Sequence, residues 1–433
     1  LPAENHRSAD GASRSDNSAL KTILSIANSL KLAGAAGSPP LLVAELFDAR
    51  KIPIALHSYQ GPIEVVAGDE VVSRMLAQMV RHPRIGDVYR ELLTHGLGNE
   101  IFVRGCEPEM AGRAFWHLAG ALPDALLVGV TRVEGGLVKP ILNPPADLRL
   151  AAGDKLIYLA TRWEAGAPPD VPPEPVWERP AVRLDPLARD DVRILVLGWS
   201  RRLPAFLQEL DSYANQRFEV TMASRCATSE RERQLGGYGA RLDRVRVRHV
   251  ETDCTVPDQL AALEPASHDV VLCLASDLAE TDEEADARTL VEHAILQELW
   301  AALPAEERPR LVIELLDELN VALIDPERCE YLLSPQVLSH MLGQVALRRE
   351  LNSVFEQLFN SGATEITFRD VLRYGLEAGA RVGFARLQSL ARRHHEIALG
   401  YLPGGGDGGV VLNPGPDAEW TLAKGDRLVV LRN

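Results

Sequence analysis

Two halves of this chain read alike, and that duplication restricts the fold more than any other feature. Ser73-Arg74-Met75-Leu76-Ala77-Gln78 returns as Ser339-His340-Met341-Leu342-Gly343-Gln344, an offset of 266. At the same offset Ile85, Val88, Tyr89, Leu92 and Leu93 meet Leu351, Val354, Phe355, Leu358 and Phe359. Upstream, Leu42-Val43-Ala44-Glu45-Leu46-Phe47-Asp48 matches Leu311-Val312-Ile313-Glu314-Leu315-Leu316-Asp317. Downstream, Leu142-Asn143-Pro144 answers Leu412-Asn413-Pro414, and Gly153-Asp154 answers Gly425-Asp426. Short matches in one order, with offsets confined to 266–272, identify a duplication, and both copies are expected to share one topology.

Each copy has the same coarse layout. A helix (19–32; 287–303) leads to an apolar strand (41–46; 311–315), then to an amphipathic helix pair carrying the Ser-x-Met-Leu-x-Gln segment. Spacings of three and four, as in Met75, Met79 and Val88, Leu92, mark its apolar stripe. A smaller β-rich unit closes each copy, with strands expected over 125–132 and 155–159 in the first and 396–402 and 427–431 in the second. Each Gly-Asp before the last strand signals a turn.

Between the copies, 165–189 holds Pro168, Pro169, Pro172, Pro173, Pro175, Pro180 and Pro186. Such a run forbids a regular helix or a paired strand and is expected to form an extended, semi-stiff tether. The second copy has a full front end. Arg193–Gly198 reads as a buried strand ending in a glycine turn, followed by a helix over 203–213 and strands over 218–223, 245–251 and 269–275. Strands alternating with helices predict a Rossmann-like, doubly wound parallel sheet. In the first copy Leu1-Pro2-Ala3-Glu4 stands where the second has Leu274-Ala275-Ser276-Asp277, so its first strands are expected to lie outside these residues. The division that follows is 1–96 (partial first Rossmann-like part and helix pair), 97–164 (its C-terminal subdomain), 165–190 (linker), 191–361 (second Rossmann-like domain and helix pair) and 362–433 (its C-terminal subdomain).

At 433 residues with 46% hydrophobic content, the chain has the material for two cores. A net charge of −15 repels phosphate backbones, which argues against nucleic acid as a partner. The five cysteines have no metal-like or paired spacing and fit free, buried thiols in a reducing compartment. No run approaches the about 18 apolar residues of a membrane span, and the polar opening without an initiator Met fits a fragment.

A Rossmann half followed by a helix pair and a small β unit resembles an RCK domain, the regulator of K⁺ conductance in cation channels and transporters. Val196-Leu197-Gly198-Trp199-Ser200 with its apolar helix, Ser15-Asp16-Asn17-Ser18-Ala19-Leu20-Lys21-Thr22-Ile23-Leu24 and Val43-Ala44-Glu45-Leu46 are similar to the CASTOR/POLLUX channel family. The resemblance spans nearly the whole chain. It implies α/β architecture as tandem RCK modules, each with a Rossmann-like parallel half, a helix-pair crossover and a small α+β C-terminal subdomain, the first Rossmann half truncated. It also implies an upstream transmembrane pore, a homotetrameric gating ring on the cytoplasmic side of the membrane, and Ca²⁺ as ligand.

Several residues are candidates for a site. The turn Gly198-Trp199-Ser200-Arg201-Arg202-Leu203 keeps one glycine of the Gly-x-Gly-x-x-Gly fingerprint, and Ala223-Ser224 replaces the acid expected after the second strand. It reads as a tight strand–helix turn rather than an NAD site, although its arginines can attract an anion. Asp277, Glu280, Asp282, Glu283, Glu284 and Asp286 follow the fourth strand, at the sheet edge where ligands commonly sit. Their oxygens suit Ca²⁺; equally, the last of them can stabilise a helix N-terminus. The same two uses are open to Glu45/Asp48 and Glu314/Asp317, capping being the plainer. Met75, Leu76, Ile85, Val88, Met341, Leu342, Leu351 and Phe355 are candidates for ring or dimer assembly, some of them as ordinary core. Arg392-Arg393-His394-His395 reads as a solvated helix end and Gly404–Gly409 as a flexible hairpin loop.

No nucleophile elbow, zinc-binding helix or paired cysteine site is present, so the chain does not read as an enzyme. The expected function is ligand sensing for a cation channel. The rivals are a soluble Trk-type subunit gated by a nucleotide, and an NAD-dependent oxidoreductase, for which neither the glycine fingerprint nor an acid–base pair exists.

Overall fold

A computed structural model describes residues 9–34, 39–93, 98–119, 122, 124–135, 137–167, 191–239, 241–326, 328–359, 364–404, 409–415 and 417–433. The chain divides into two compact units, and each draws on both copies of the repeat. One joins 1–86 to 187–346, the other 87–186 to 347–433. Most of the proline tether, Glu4 and the middle of the Gly404–Gly409 loop lie outside the described residues; Ala165 and Gly166 close a short 3₁₀ turn before its first proline.

The first unit contains a six-stranded, all-parallel sheet in the order Val245–Glu251, Phe218–Ser224, Val192–Leu197, Val270–Cys273, Arg310–Leu315, Glu330–Leu333. This is the doubly wound order, with its switch point between Val192–Leu197 and Val270–Cys273. The central strands are apolar on both faces, as a sheet covered by helices requires. Leu195, Leu197, Val271, Cys273, Ile313 and Leu315 pack with Leu296 and Trp300 in one core. The first copy contributes two parallel strands, Leu42–Leu46 and Ile63–Ala67, the counterparts of the last two of the six.

The same residue ties down both copies. Asp286 accepts from the backbone N–H groups of Leu316 (2.9 Å) and Asp317 (2.9 Å), and Asp16 accepts from Phe47 (2.9 Å) and Asp48 (3.2 Å). Both aspartates are buried, at 0% and 2% exposure, and each clamps a strand end that would otherwise leave donors unpaired.

The helix following the fourth strand runs Asp282–Leu299, not 287–303. Thr281 caps it by accepting from Glu284 N (3.1 Å), and three acids in the first turn favour its positive end. Part of the acidic stretch is therefore helix. The corresponding first-copy helix begins earlier than expected, at Ala9.

The second unit holds two four-stranded antiparallel sheets of one design. Their orders are Glu100–Gly105, Lys155–Ala160, Ala125–Glu134, Leu137–Leu142 and Glu365–Asp370, Arg427–Arg432, Glu396–Leu402, Val411–Leu412. Both carry a bulge at the same place, between Leu127 and Gly129 and between Ala398 and Gly400. The copies thus share a topology down to an irregularity. The first strand of each sheet escapes notice in the sequence because its ends are charged.

Met75, Leu76, Ile85, Val88, Met341, Leu351 and Phe355 are all buried, at 2% exposure or less, while Leu342 is partly exposed. Seven of the eight candidates for assembly have no surface left for another subunit. What their helices join is the two copies within one chain. In the first unit Gly68–Arg81 packs on Leu203–Asp211 of the other copy, with Ser73 Oγ donating to Arg202 O (2.9 Å). In the second, Tyr89 meets Phe359 edge to face at 5.3 Å.

Candidate functional site

At the carboxyl ends of the parallel strands the first unit encloses a cleft of about 1300 Å³. Glu45, Asp69, Arg201, Arg202, Asp277, Asp282 and Glu283 line it, with Leu338 and Leu342 on its apolar side. Carboxylates outnumber guanidiniums, so the cleft is acidic.

Gly198 makes the turn that positions the arginines. Its φ is +96°, and an added Cβ would lie 3.0 Å from Leu274 O, so this position requires glycine. Trp199 then turns inward, 2% exposed, with its indole N–H donating to Gln234 Oε1 (3.0 Å). Ser200 is fully buried. Arg201 N donates to Asp277 Oδ2 at 2.5 Å. In a dinucleotide site such an N–H faces phosphate; here the chain's own carboxylate takes it.

Both arginine side chains cross-link elements. Arg201 forms a bidentate pair with Asp69, at 2.7 and 3.1 Å, which connects the second copy to the helix start of the first. Arg202 pairs with Glu314, which also accepts from Ser334 Oγ. Glu314 is fully buried. Although burial works against its charge, the carboxylates of Glu314, Asp277 and Asp69 hold the Arg202 pKa above its ordinary value. Burial pushes Asp69 and Asp277 upward against the arginines.

Glu45 is the first-copy counterpart of Glu314, but no arginine reaches it and Gly68 stands where Ser334 would. It accepts no hydrogen bond among the described residues. Burial, and then the neighbouring Asp69, raise its pKa to about 7 against the pull of Arg201.

The remaining candidates serve the backbone. Asp48 accepts from Arg50 N (3.0 Å) and pairs with its guanidinium, Asp317 accepts from Leu319 N (2.9 Å), and Glu284 accepts from Glu280 N (2.8 Å). Glu280 itself is exposed. Among the described residues no three His, Cys, Asp or Glu side chains gather into a metal-holding group. Asp69 went unnoticed in the sequence because its counterpart position, Pro335, carries no charge. The cysteines are unpaired, and all but Cys106 are buried; burial pushes Cys254 and Cys329 up to about 12. No helix among the described residues is long and apolar enough to cross a membrane.

Residues 69–171 match a family model described as "Castor and Pollux, part of voltage-gated ion channel". The ion channel CASTOR of Lotus japonicus is 26% identical, over 95% of this chain and 51% of its own length. The chain is a relative of the CASTOR and POLLUX ion channels. A probable POLLUX channel of Arabidopsis thaliana is 24% identical over 95% of this chain and 52% of its own. The chain spans about half the length of these CASTOR and POLLUX relatives, which are channels rather than enzymes. In three dimensions it is similar to the human SLO3 gating ring, with a TM-score of 0.66 at 12% identity, covering 90% of this chain and 80% of the other. Its fold is that of tandem RCK modules.

Proposed function

We propose that these residues are the ligand-sensing region of a cation channel, forming a homotetrameric gating ring on the cytoplasmic side of a membrane and coupled to a pore elsewhere in the full-length protein. One observation carries the reading: in a chain related to channels along nearly all its length, Arg201 and Asp69 join the two copies across a single acidic cleft. A ligand that binds one arrangement of the copies better than another shifts their balance. Its proposed identity is Ca²⁺. The cleft offers hard carboxylate oxygens, and Glu45 is the group best placed to exchange a proton for a cation.

The test is calorimetric titration of the chain with Ca²⁺, Mg²⁺, NADH and ATP, alongside light scattering. Saturable Ca²⁺ binding that weakens at least about tenfold in Glu45→Gln, and is stronger at pH 8 than at pH 6, is the expected result. A tight nucleotide response with no Ca²⁺ heat would favour a Trk-type regulatory subunit instead. A strict monomer at high concentration would count against the ring.

A further inference from the structure

The Arg392-Arg393 helix end, which the sequence presents as solvated, is held against the other copy of the repeat. Arg392 lies in the last turn of the Phe384–Arg393 helix. Its guanidinium carbon sits 5.1 Å from the centre of the Trp116 ring, over the indole face. Trp116 belongs to the Phe115–Ala119 helix and is 6% exposed.

Both groups have donors that reach nothing. Trp116 Nε1 and Arg392 Nε are buried, and among the described residues neither finds an acceptor. Buried donors are almost always paired, whereas the Arg392 side chain as a whole is half-buried, so its terminal N–H groups stay open to an incoming anion. The stack stabilises the cation through the ring face, but the in-plane N–H groups gain no acceptor from it. Among the described residues no carboxylate fills the role. Glu396, close by in sequence, is taken by Arg369 Nε (3.0 Å) and by the Tyr374 hydroxyl. Burial lowers the Arg392 pKa with no charged neighbour raising it, as expected of a cation whose counter-ion is not part of the chain.

We infer that Arg392 and Trp116 form a binding site for a small oxyanion, phosphate or carboxylate. The guanidinium fork supplies paired N–H groups and the indole N–H a further one. The site lies in the second unit and shares no residue with the acidic cleft, so the outcome of the Ca²⁺ titration does not bear on it.

The test titrates the full 433-residue chain with inorganic phosphate and, separately, with acetate, at constant ionic strength in chloride, reading binding heat and melting temperature. One saturable site for at least one anion is expected. Phosphate alone, or acetate alone, would name the class. Arg392→Met should weaken binding at least about tenfold, since the paired donors vanish. Trp116→Phe keeps the stack, loses the N–H and should weaken binding about threefold. Should Arg392→Met fold poorly, Arg392→Lys keeps the charge without the fork and should also bind more weakly. Saturation by neither anion, or unchanged affinity in Trp116→Phe and Arg392→Lys, overturns the assignment.

Discussion

Asn143 and Asn413 occupy the same position in the two copies, and each donates its side-chain amide to the other copy. Asn143 Nδ2 reaches His395 O at 2.8 Å, and Asn413 Nδ2 reaches Asp124 O at 3.1 Å. Both hold a left-handed backbone, with φ of 43° and 41°. Asparagine is among the few residues that accept this conformation at low cost. One residue type thus answers two demands at once, a tight turn and a cross-copy bond, and this explains the paired Leu-Asn-Pro signature.

Replacing either asparagine by alanine should therefore cost about 2 kcal/mol, roughly half from the lost hydrogen bond and half from the strained backbone. Asn143→Gly and Asn413→Gly relieve the backbone part and should lose only about 1 kcal/mol. Urea denaturation of the four variants separates the contributions. Equal losses for alanine and glycine would show that φ plays no part.

The two sheet bulges make a second pair. A Cβ on Gly129 would collide with Ile141 O, and one on Gly400 with Val411 O. Because backbone of the neighbouring strand cannot step aside cheaply, Gly129→Ala and Gly400→Ala should each destabilise by at least about 2 kcal/mol. Gly236, in the Thr228–Gly237 helix, faces open space, and Gly236→Ala should instead stabilise by roughly 0.5–1 kcal/mol. Thermal melts of the three variants check the contrast in sign.

These pairs also show why much of the fold was legible. Asn143/Asn413 and Gly153/Gly425 sit where geometry admits few residue types, so the copies still resemble each other there, whereas the match of Asp16 to Asp286 emerges only from their hydrogen bonds. The opening strands of the small sheets carried a fainter trace, Glu100-Ile101 and Arg104 against Glu365-Ile366 and Arg369. The site was less readable. A carboxylate that caps a helix and one that faces a cleft look alike in sequence, and tertiary packing decides between them: Asp277 turned to the cleft, Asp286 to the backbone. Neither the Asp69–Arg201 pair nor the Arg392–Trp116 stack has any local signal, since each joins residues far apart in the chain.

Arg202 and Glu314 form a buried pair with side-chain exposures of 11% and 0%. Removing one partner leaves an uncompensated charge, so Arg202→Met and Glu314→Gln should each cost about 3 kcal/mol. Replacing both, Arg202→Met with Glu314→Gln, should cost clearly less than the sum, because neither charge is then stranded. A double-mutant cycle in guanidinium measures this, and strict additivity would mean that the two side chains act independently.

Glu292 gives a pH dependence of unusual sign. It is 4% exposed, its Oε2 has no partner among the described residues, and burial raises its pKa to about 8. An unfolded chain ionises this group near pH 4.3. Between those values the folded state keeps a proton that the unfolded state has released, so the contribution of Glu292 is intact at low pH and is lost as pH rises towards 8. Glutamine has no such loss. The stability of Glu292→Gln relative to the unsubstituted chain should therefore climb from pH 5 to pH 9, by on the order of 3 kcal/mol, and level off beyond. Comparing the two proteins at each pH cancels every other titrating group and any fixed difference between carboxyl and amide. A relative stability that stays flat, or falls, across that range would mean that Glu292 is ionised in the folded protein and has found a counter-charge.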